Sequence, residues 1–111
     1  MISKDTFLTL QAQPSKEVMP GFLGRMIHTD KMTFSYWEVK SGSELKEHHH
    51  VHEQLSMLME GRFEFKINGE KRIIEAGDFI VISSDTPHSG RALTDCKIID
   101  VFTPVREDYI F

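Results

Sequence analysis

The feature that most constrains the fold of this chain is a pair of strand-like segments joined by a two-residue turn. The segments cover residues 62–67 and 70–74, and the dipeptide Asn68-Gly69 separates them. Asn-Gly between alternating strands is a strong signal for a type I′ hairpin. Apolar and charged residues alternate in the first segment, as expected of a strand with one buried face. The sequence therefore predicts antiparallel β-structure here.

Similar segments recur from about residue 32 onward, with Gly, Asn, Asp or Pro between them at spacings of about 8–12 residues. They cover residues 32–39, 54–60, 79–82 and 97–103, and weaker strand patterns lie at residues 7–10 and 22–28. On the strand after Gln54, we expect Ser56 and Leu58 to share its face and the residues between them to face the opposite way. No stretch shows a sustained helical period. The pattern predicts an all-β barrel or sandwich.

Composition and charge exclude several classes of protein. A length of 111 residues fits one domain, and 40% hydrophobic with 27% charged residues is typical of a soluble globular protein. A formal net charge of −4 without a Lys/Arg cluster argues against nucleic acid as a partner. No apolar run approaches the roughly 20 residues of a membrane span, and the polar start does not resemble a signal peptide. We expect no membrane partner and a cytoplasmic location.

Histidines are concentrated in one segment, since four of the six lie within residues 48–52. Side chains two apart on a strand share a face, so His48 and His50 can aim at one point. Imidazole is the commonest metal ligand in proteins, and the carbonyl oxygen of Gln54 offers a third donor across a short turn. Cys96 is the only cysteine, which excludes a Cys-based metal site and an internal disulfide.

The spacing G-x5-H-x-H-x3-Q-x6-G between Gly42 and Gly61 resembles the first motif of the cupin superfamily, in which Glu is more common than Gln at the position of Gln54. A second motif runs from Gly77 to His88. Three positions depart from the family pattern and bear on turn geometry alone: Ser83, Asp85 and Ala92. The resemblance implies a jelly-roll cupin barrel at about residues 31–105 within a single domain covering 1–111.

The resemblance also implies a metal ligand set, which consists of His48, His50, Gln54 and His88. We expect one divalent transition metal per chain, and Zn, Ni, Mn, Fe, Co and Cu all suit imidazole. These neutral ligands would stabilise a trivalent iron or manganese state poorly, which disfavours oxygen chemistry. A metal-free relic of the fold is the alternative. We expect His49 and His52 on the outer face or beside the ligands, and His28 as a surface histidine.

Cupins often pair their N-terminal strands with a neighbouring subunit. The resemblance therefore implies a homodimer, with about residues 1–30 as an N-terminal arm at the interface.

The C-terminal pattern D-x-F-x-P-x-R-x-D-aromatic begins at Asp100, which shares a strand face with Ile98 and Phe102. Together with the two metal motifs, this pattern resembles the small cupins of pectin and alginate breakdown, which open the ring of 4,5-unsaturated uronates. The resemblance makes Asp100 the acid/base group, Phe102 a wall against the sugar and Arg106 a contact near the site. The alternative for Arg106 is an exposed ion pair with Glu107 or Asp108.

The resulting hypothesis is a metal-dependent enzyme that linearises 4,5-unsaturated uronate monosaccharides to 5-keto-4-deoxyuronate. One alternative is a cupin isomerase or oxygenase that acts on another small anionic metabolite. A second alternative is a non-catalytic, metal-dependent module that binds a sugar acid, since a fold does not imply turnover.

Overall fold

Two antiparallel sheets contain all the strands of the computed structural model, which describes residues 5–111. The strands are β1 (Ser15–Met19), β2 (Phe22–His28), β3 (Thr33–Val39), β4 (Glu44–His48), β5 (Glu53–Glu60), β6 (Arg62–Ile67), β7 (Glu70–Glu75), β8 (Phe79–Ile82), β9 (His88–Ala92) and β10 (Cys96–Thr103). One sheet has the order β1-β2-β3-β10-β5-β8, and the other has the order β4-β9-β6-β7. Within the described residues the only helices are two 3-10 turns, at Leu10–Ala12 and Glu107–Tyr109. The all-β prediction is confirmed.

The inner faces of the sheets form the core, and buried residues alternate with more exposed ones along β2, β3, β5 and β10. On β10 every second residue is buried, so Ile98, Asp100 and Phe102 all point inward as predicted. On β5 the buried residues are Gln54, Ser56 and Leu58, whereas Leu55 and Met59 are 44% and 42% exposed. The predicted division of this strand into two faces is confirmed.

The predicted hairpin is present with the expected turn. Ile67 pairs with Glu70 across the loop, and β6 and β7 are antiparallel. Asn68 and Gly69 have φ values of 49° and 87°. Positive φ at both central residues defines the type I′ turn, which Asn and Gly tolerate with little strain.

The prediction of a strand at residues 7–10 is wrong. Its backbone hydrogen bonds are local: the Ala12 amide donates to the Thr9 carbonyl at 3.1 Å, and the Gln13 amide donates to the Leu10 carbonyl at 3.0 Å. These bonds close a 3-10 turn, and the first strand begins only after Pro14.

Strands β1, β4 and β9 were absent from the predicted segments because they lack the usual compositional signal. Their sequences are SKEVM, ELKEH and HSGRA, which contain few β-branched or aromatic residues. Each is ordered by its neighbour, since β1 pairs with β2 and β4 pairs with β9. Pairing with a neighbouring strand outweighs the low β-propensity of these three sequences.

The N-terminal strands extend the six-stranded sheet of their own chain. β1 pairs with β2, and β2 pairs with β3, which leaves β1 at the edge. The homodimer with an interface at residues 1–30 stays a prediction, and residues 1–4 of that interval lie outside the described residues. Between residues 5 and 111 there is no helix long and apolar enough to cross a membrane.

His28 is not at the surface, and that expectation was wrong. It is the last residue of β2, is 2% exposed, and lies against Thr33 and against Tyr109, which follows the last strand. Burial lowers the pKa of His28 and outweighs its hydrogen bond with the Tyr109 backbone, which raises the pKa. The folded protein therefore favours the neutral ring.

We expect this burial to make stability depend on pH. Below the unfolded pKa of about 6.5, the unfolded chain binds a proton more readily than the folded protein does. The contribution of neutral His28 is therefore present above about pH 6.5 and is lost as the pH falls toward the lower folded pKa. The melting temperature of the metal-free protein should fall less between pH 7 and pH 5 in His28→Gln than in the wild type, and parallel curves would contradict this assignment.

The two faces of β5 provide a test of the core. Leu58 is 0% exposed, so Leu58→Ala should lower the free energy of unfolding by about 2–5 kcal/mol. Leu55→Ala on the opposite face of the same strand should cost less than about 1 kcal/mol, because this side chain keeps much of its contact with water. Urea denaturation of both variants gives the comparison, and equal losses would refute the assigned inner face.

Candidate metal centre

Three histidines meet where β4 and β9 pair. His48 ends β4 and lies opposite His88, the first residue of β9. A shift of register between Leu45 and His48 interrupts this pairing, and such a bulge re-aims a side chain. His50 follows β4 in the loop that leads into β5.

The histidine rings present their nitrogens to a common point. One ligand atom from each of His48, His50 and His88 can be chosen so that all lie within 4.8 Å of one another. The rings of His48 and His88 are 4.2 Å apart between centroids, and those of His50 and His88 are 5.0 Å apart. The structure thus brings together three of the four sequence-predicted ligands.

Backbone carbonyls determine which ring nitrogen of each histidine carries the hydrogen. The Nδ1 atoms of His48, His50 and His88 lie 2.8, 3.0 and 2.8 Å from the carbonyl oxygens of Lys46, His52 and Thr86. A carbonyl oxygen only accepts, so each Nδ1 donates and the neutral ring keeps its lone pair on Nε2. This arrangement orients imidazole for metal binding.

Gln54 supplies a fourth donor from the buried face of β5. Its Nε2 donates to Ser56 Oγ at 2.9 Å, which turns Oε1 toward the histidines, 3.2 Å from His50 Nε2. An amide oxygen and an unprotonated imidazole nitrogen are both acceptors, so their approach is favourable only with a cation or a proton between them. The four side chains therefore fit a divalent metal.

The electrostatics of the cluster also favour metal binding. Burial, followed by the positive charge of Arg106, lowers the pKa of His50. Burial lowers the pKa of His88 to about 4. Both rings are therefore neutral at neutral pH, and a metal does not have to displace protons from them.

Asp100 lies on β10 behind Gln54 and is held by two donors. Ser56 Oγ donates to Oδ1 at 2.5 Å, and Trp37 Nε1 donates to Oδ2 at 2.9 Å. Burial raises the pKa of Asp100, although hydrogen bonds with Ser56, Trp37 and Gln54 and the charge of Arg106 oppose this shift. Ser56 thus links the carboxyl group to Gln54 and so to the candidate metal position.

Arg106 combines an ion pair with burial. Its Nη2 and Nε donate to the carboxylate of Asp108 at 2.7 and 3.1 Å. The arginine side chain is only 9% exposed, against 59% for Asp108. The guanidinium carbon lies 4.8 Å from the ring centroid of Phe102 and 4.0 Å from that of Tyr109. The ion pair predicted as the alternative for Arg106 exists with Asp108, but it is not an exposed surface pair.

These groups line an interior cavity of about 40 Å³. His48, Gln54, His88, Asp100, Phe102 and Arg106 all contribute to its wall. A wider opening of about 450 Å³ shares His48 and Arg106 with the cavity and lies between β1, β4 and the C-terminal residues. Arg106 therefore stands where the cavity meets its mouth.

His49 and His52 occupy different surroundings from the three clustered histidines. The His49 side chain is 66% exposed and lies 3.7 Å from the Asp85 carboxylate. His52 is half-buried. Its ring Nε2 donates to the carbonyl oxygen of Val105 at 3.3 Å. His52 therefore connects the loop between β4 and β5 to the residues that follow β10.

Sequence reasoning did not identify Trp37 or Tyr109 as neighbours of the site. Trp37 donates to a carboxyl group 63 positions away in the chain. Tyr109 packs edge-on against Trp37, with ring centroids 5.7 Å apart. No local pattern signals the contact of Trp37 with Asp100 or of Tyr109 with Arg106.

A comparison with family models identifies this architecture, because residues 35–102 match the model of the Cupin domain. The chain belongs to the cupin family. The matched region contains the three histidines, Gln54, Asp100 and Phe102, whereas Arg106 lies beyond it.

Two proteins named KdgF are similar to this cupin. It is 35% identical over 63 residues to the pectin degradation protein KdgF of Dickeya dadantii, which covers 56% of this chain and 57% of that protein. The alignment thus spans little more than half the length of this relative. The solved structure of KdgF from Halomonas sp. is 29% identical with a TM-score of 0.89, covering 96% of this chain and 100% of the other. The resemblance to pectin-degradation cupins is confirmed.

More distant structures share the fold. An RmlC-like cupin from Shewanella frigidimarina is 24% identical with a TM-score of 0.93, over 99% of this chain and 100% of that one. A salicylate 1,2-dioxygenase from Pseudoaminobacter salicylatoxidans is 22% identical with a TM-score of 0.73, over 83% of this chain and 27% of the other. The predicted cupin barrel is confirmed.

We expect purified, untagged protein to contain a divalent metal that His50→Ala loses. Removing one of the converging Nε2 atoms should weaken the affinity for the metal by more than about tenfold. Residues that only form hydrogen bonds with metal ligands already contribute that much to metal affinity. His49→Ala is the matched control, because the neighbouring ring is largely exposed. Elemental analysis compares the three proteins. Equal metal content in His50→Ala and wild type would contradict the assignment.

Proposed function

We propose that this cupin promotes the linearisation of 4,5-unsaturated uronate monosaccharides to 5-keto-4-deoxyuronate. The observation that carries the proposal is one small cavity lined by His48, Gln54 and His88 together with a buried carboxyl group and a buried guanidinium. His50 completes the histidine cluster beside it. The similarity to two KdgF proteins, one of them described by its role in pectin degradation, supports the substrate class.

A divalent metal held by His48, His50, Gln54 and His88 would supply Lewis acidity toward the oxygens of a bound sugar acid. Because the four ligands are neutral, they leave the charge of the ion undiminished. Imidazole and amide donors suit several divalent ions, so metal availability and site geometry determine which one is bound.

Arg106 is proposed to bind the carboxylate of the substrate. Asp108 engages Nε and Nη2 of the guanidinium, and an arginine has five N–H donors, so further donors remain. Stacking between Phe102 and Tyr109 holds the group at the mouth of the cavity. A planar guanidinium matches a carboxylate in shape as well as charge.

Asp100 is proposed as the proton-transfer group. A cyclic hemiacetal opens when its hydroxyl loses a proton and the ring oxygen gains one, which releases an enol. The enol then takes a proton on carbon and loses its hydroxyl proton, which gives the ketone. Burial raises the pKa of Asp100, which brings the group closer to the range in which it can both accept and return a proton.

Phe102 is proposed as the wall against the sugar ring. Its side chain is 2% exposed and packs against the His50 ring, with centroids 5.8 Å apart. An apolar surface beside the reacting atoms excludes water and strengthens the electrostatic contacts around it.

The test is the loss of ultraviolet absorbance of the 4,5-unsaturated monomers derived from galacturonate and mannuronate. Metal-loaded protein should accelerate this loss over the spontaneous rate. Asp100→Asn should lower kcat by about 10²–10⁴-fold, the usual contribution of a general acid–base group, with metal content unchanged. Asp95→Asn is the control, because this exposed carboxyl group lies outside the cavity.

Three other outcomes would contradict the proposed activity. No acceleration by the metal-loaded wild type would reject the uronate assignment. Oxygen uptake by the iron-loaded protein would favour an oxygenase. Saturable binding of a sugar acid that survives Asp100→Asn, without turnover in either protein, would favour a binding module.

A further inference from the structure

Arg106 lies beyond the last strand, on a segment made of residues 104–109, so its position depends on what holds that segment. Four hydrogen bonds connect it and the end of β10 to other parts of the chain. They are Thr103 Oγ1 to Lys31 O (3.0 Å), His52 Nε2 to Val105 O (3.3 Å), Arg106 N to Thr33 Oγ1 (2.9 Å) and His28 Nε2 to Tyr109 O (3.1 Å).

Two of these bonds come from a buried pair at one end of the β2–β3 hairpin. His28 and Thr33 are cross-strand partners, 2% and 0% exposed. His28 Nδ1 lies 2.8 Å from Thr33 Oγ1. The pair therefore forms one unit that reaches the C-terminal segment at two backbone positions, Arg106 and Tyr109.

The hydrogen bonds of this pair have only one consistent direction when the ring is neutral. The Tyr109 carbonyl can only accept, so His28 Nε2 carries the hydrogen and Nδ1 is an acceptor. Thr33 then donates its hydroxyl hydrogen to Nδ1 and accepts the amide hydrogen of Arg106. Every polar atom of the pair is satisfied, which makes the arrangement rigid as well as buried.

The two anchored backbone positions also affect where the guanidinium lies, together with its contacts to Asp108 and Phe102. Arg106 supplies the side chain itself, and Tyr109 supplies the ring on which it stacks at 4.0 Å. A shift of either backbone group would move the guanidinium relative to the cavity and the candidate metal.

We propose that His28 and Thr33 act as positioning residues that hold the C-terminal segment in place and so set Arg106 for binding an anionic substrate. The part of this inference that concerns substrate rests on the proposed function. The part that concerns the position of the segment does not.

Thr33→Val is the test variant and Thr33→Ser is its matched control. Valine has the shape of threonine but removes the hydroxyl group, which leaves the Arg106 amide and His28 Nδ1 without this partner. Serine keeps the hydroxyl group. With the uronate monomers as substrate, KM should rise by about tenfold or more in Thr33→Val, as expected for loss of one well-placed interaction. It should remain within about twofold of wild type in Thr33→Ser, with metal content equal in all three proteins.

A purely structural role gives a different result. It lowers the melting temperature and the fraction of active protein, and therefore the apparent kcat, but leaves KM unchanged below the transition. Unchanged KM in folded Thr33→Val would overturn the positioning role. If Thr33→Val does not fold, His28→Leu replaces it, since leucine is apolar and neither accepts from Thr33 nor donates to the Tyr109 carbonyl.

A spectroscopic measurement tests the inference without any substrate. Trp37 is the only tryptophan and packs edge-on against Tyr109. Displacement of the segment should shift the fluorescence emission of Trp37 and the NMR signal of its indole N–H in Thr33→Val, and not in Thr33→Ser. A shift without uronate turnover by the wild type would reject the proposed function and retain the positioning role. Spectra identical to wild type would reject the positioning role.

Discussion

A carboxyl group buried in the barrel, that of Asp100, imposes the constraint on which the rest of the site depends. Burying such a group is costly unless donors surround it, and Ser56 and Trp37 provide them. Because Ser56 donates its hydrogen to Asp100, its oxygen accepts from Gln54, and this turns the amide oxygen of Gln54 toward the histidines. One buried acid thus helps to orient Gln54 through the hydroxyl group of Ser56.

The pairing of strands makes this network geometrically possible. β10 lies between β3 and β5 in the six-stranded sheet, and Asp100 is the cross-strand partner of Ser35 on one side and Ser56 on the other. Small polar side chains on both neighbours leave room for the carboxyl group. The histidines belong mainly to the opposite sheet, so the cavity lies between two sheets that are each fixed by backbone hydrogen bonds.

Much of this organisation was predictable from local patterns. The Asn68-Gly69 turn, the alternation on β5 and β10, and the spacing of His48, His50 and Gln54 each depend on residues close in sequence. The strands β1, β4 and β9 were not predictable in this way, because their polar sequences become strands only when a partner pairs with them. His28 was misassigned although it lies on the buried face of β2 with Phe22 and Met26. Its contact with Tyr109 joins residues far apart in the chain.

The sequence by itself determined the fold class, the types of ligand and the face of β10 on which Asp100 and Phe102 lie, because a period of two and a fixed motif are local properties. The resemblance to cupins already grouped His88 with His48 and His50. Only the tertiary structure decided that Trp37 and Ser56 hold Asp100, and that Arg106 is buried against Phe102 and Tyr109. These contacts join residues far apart in the chain. They depend on strand pairing and on the path of the segment after β10, which no short pattern encodes.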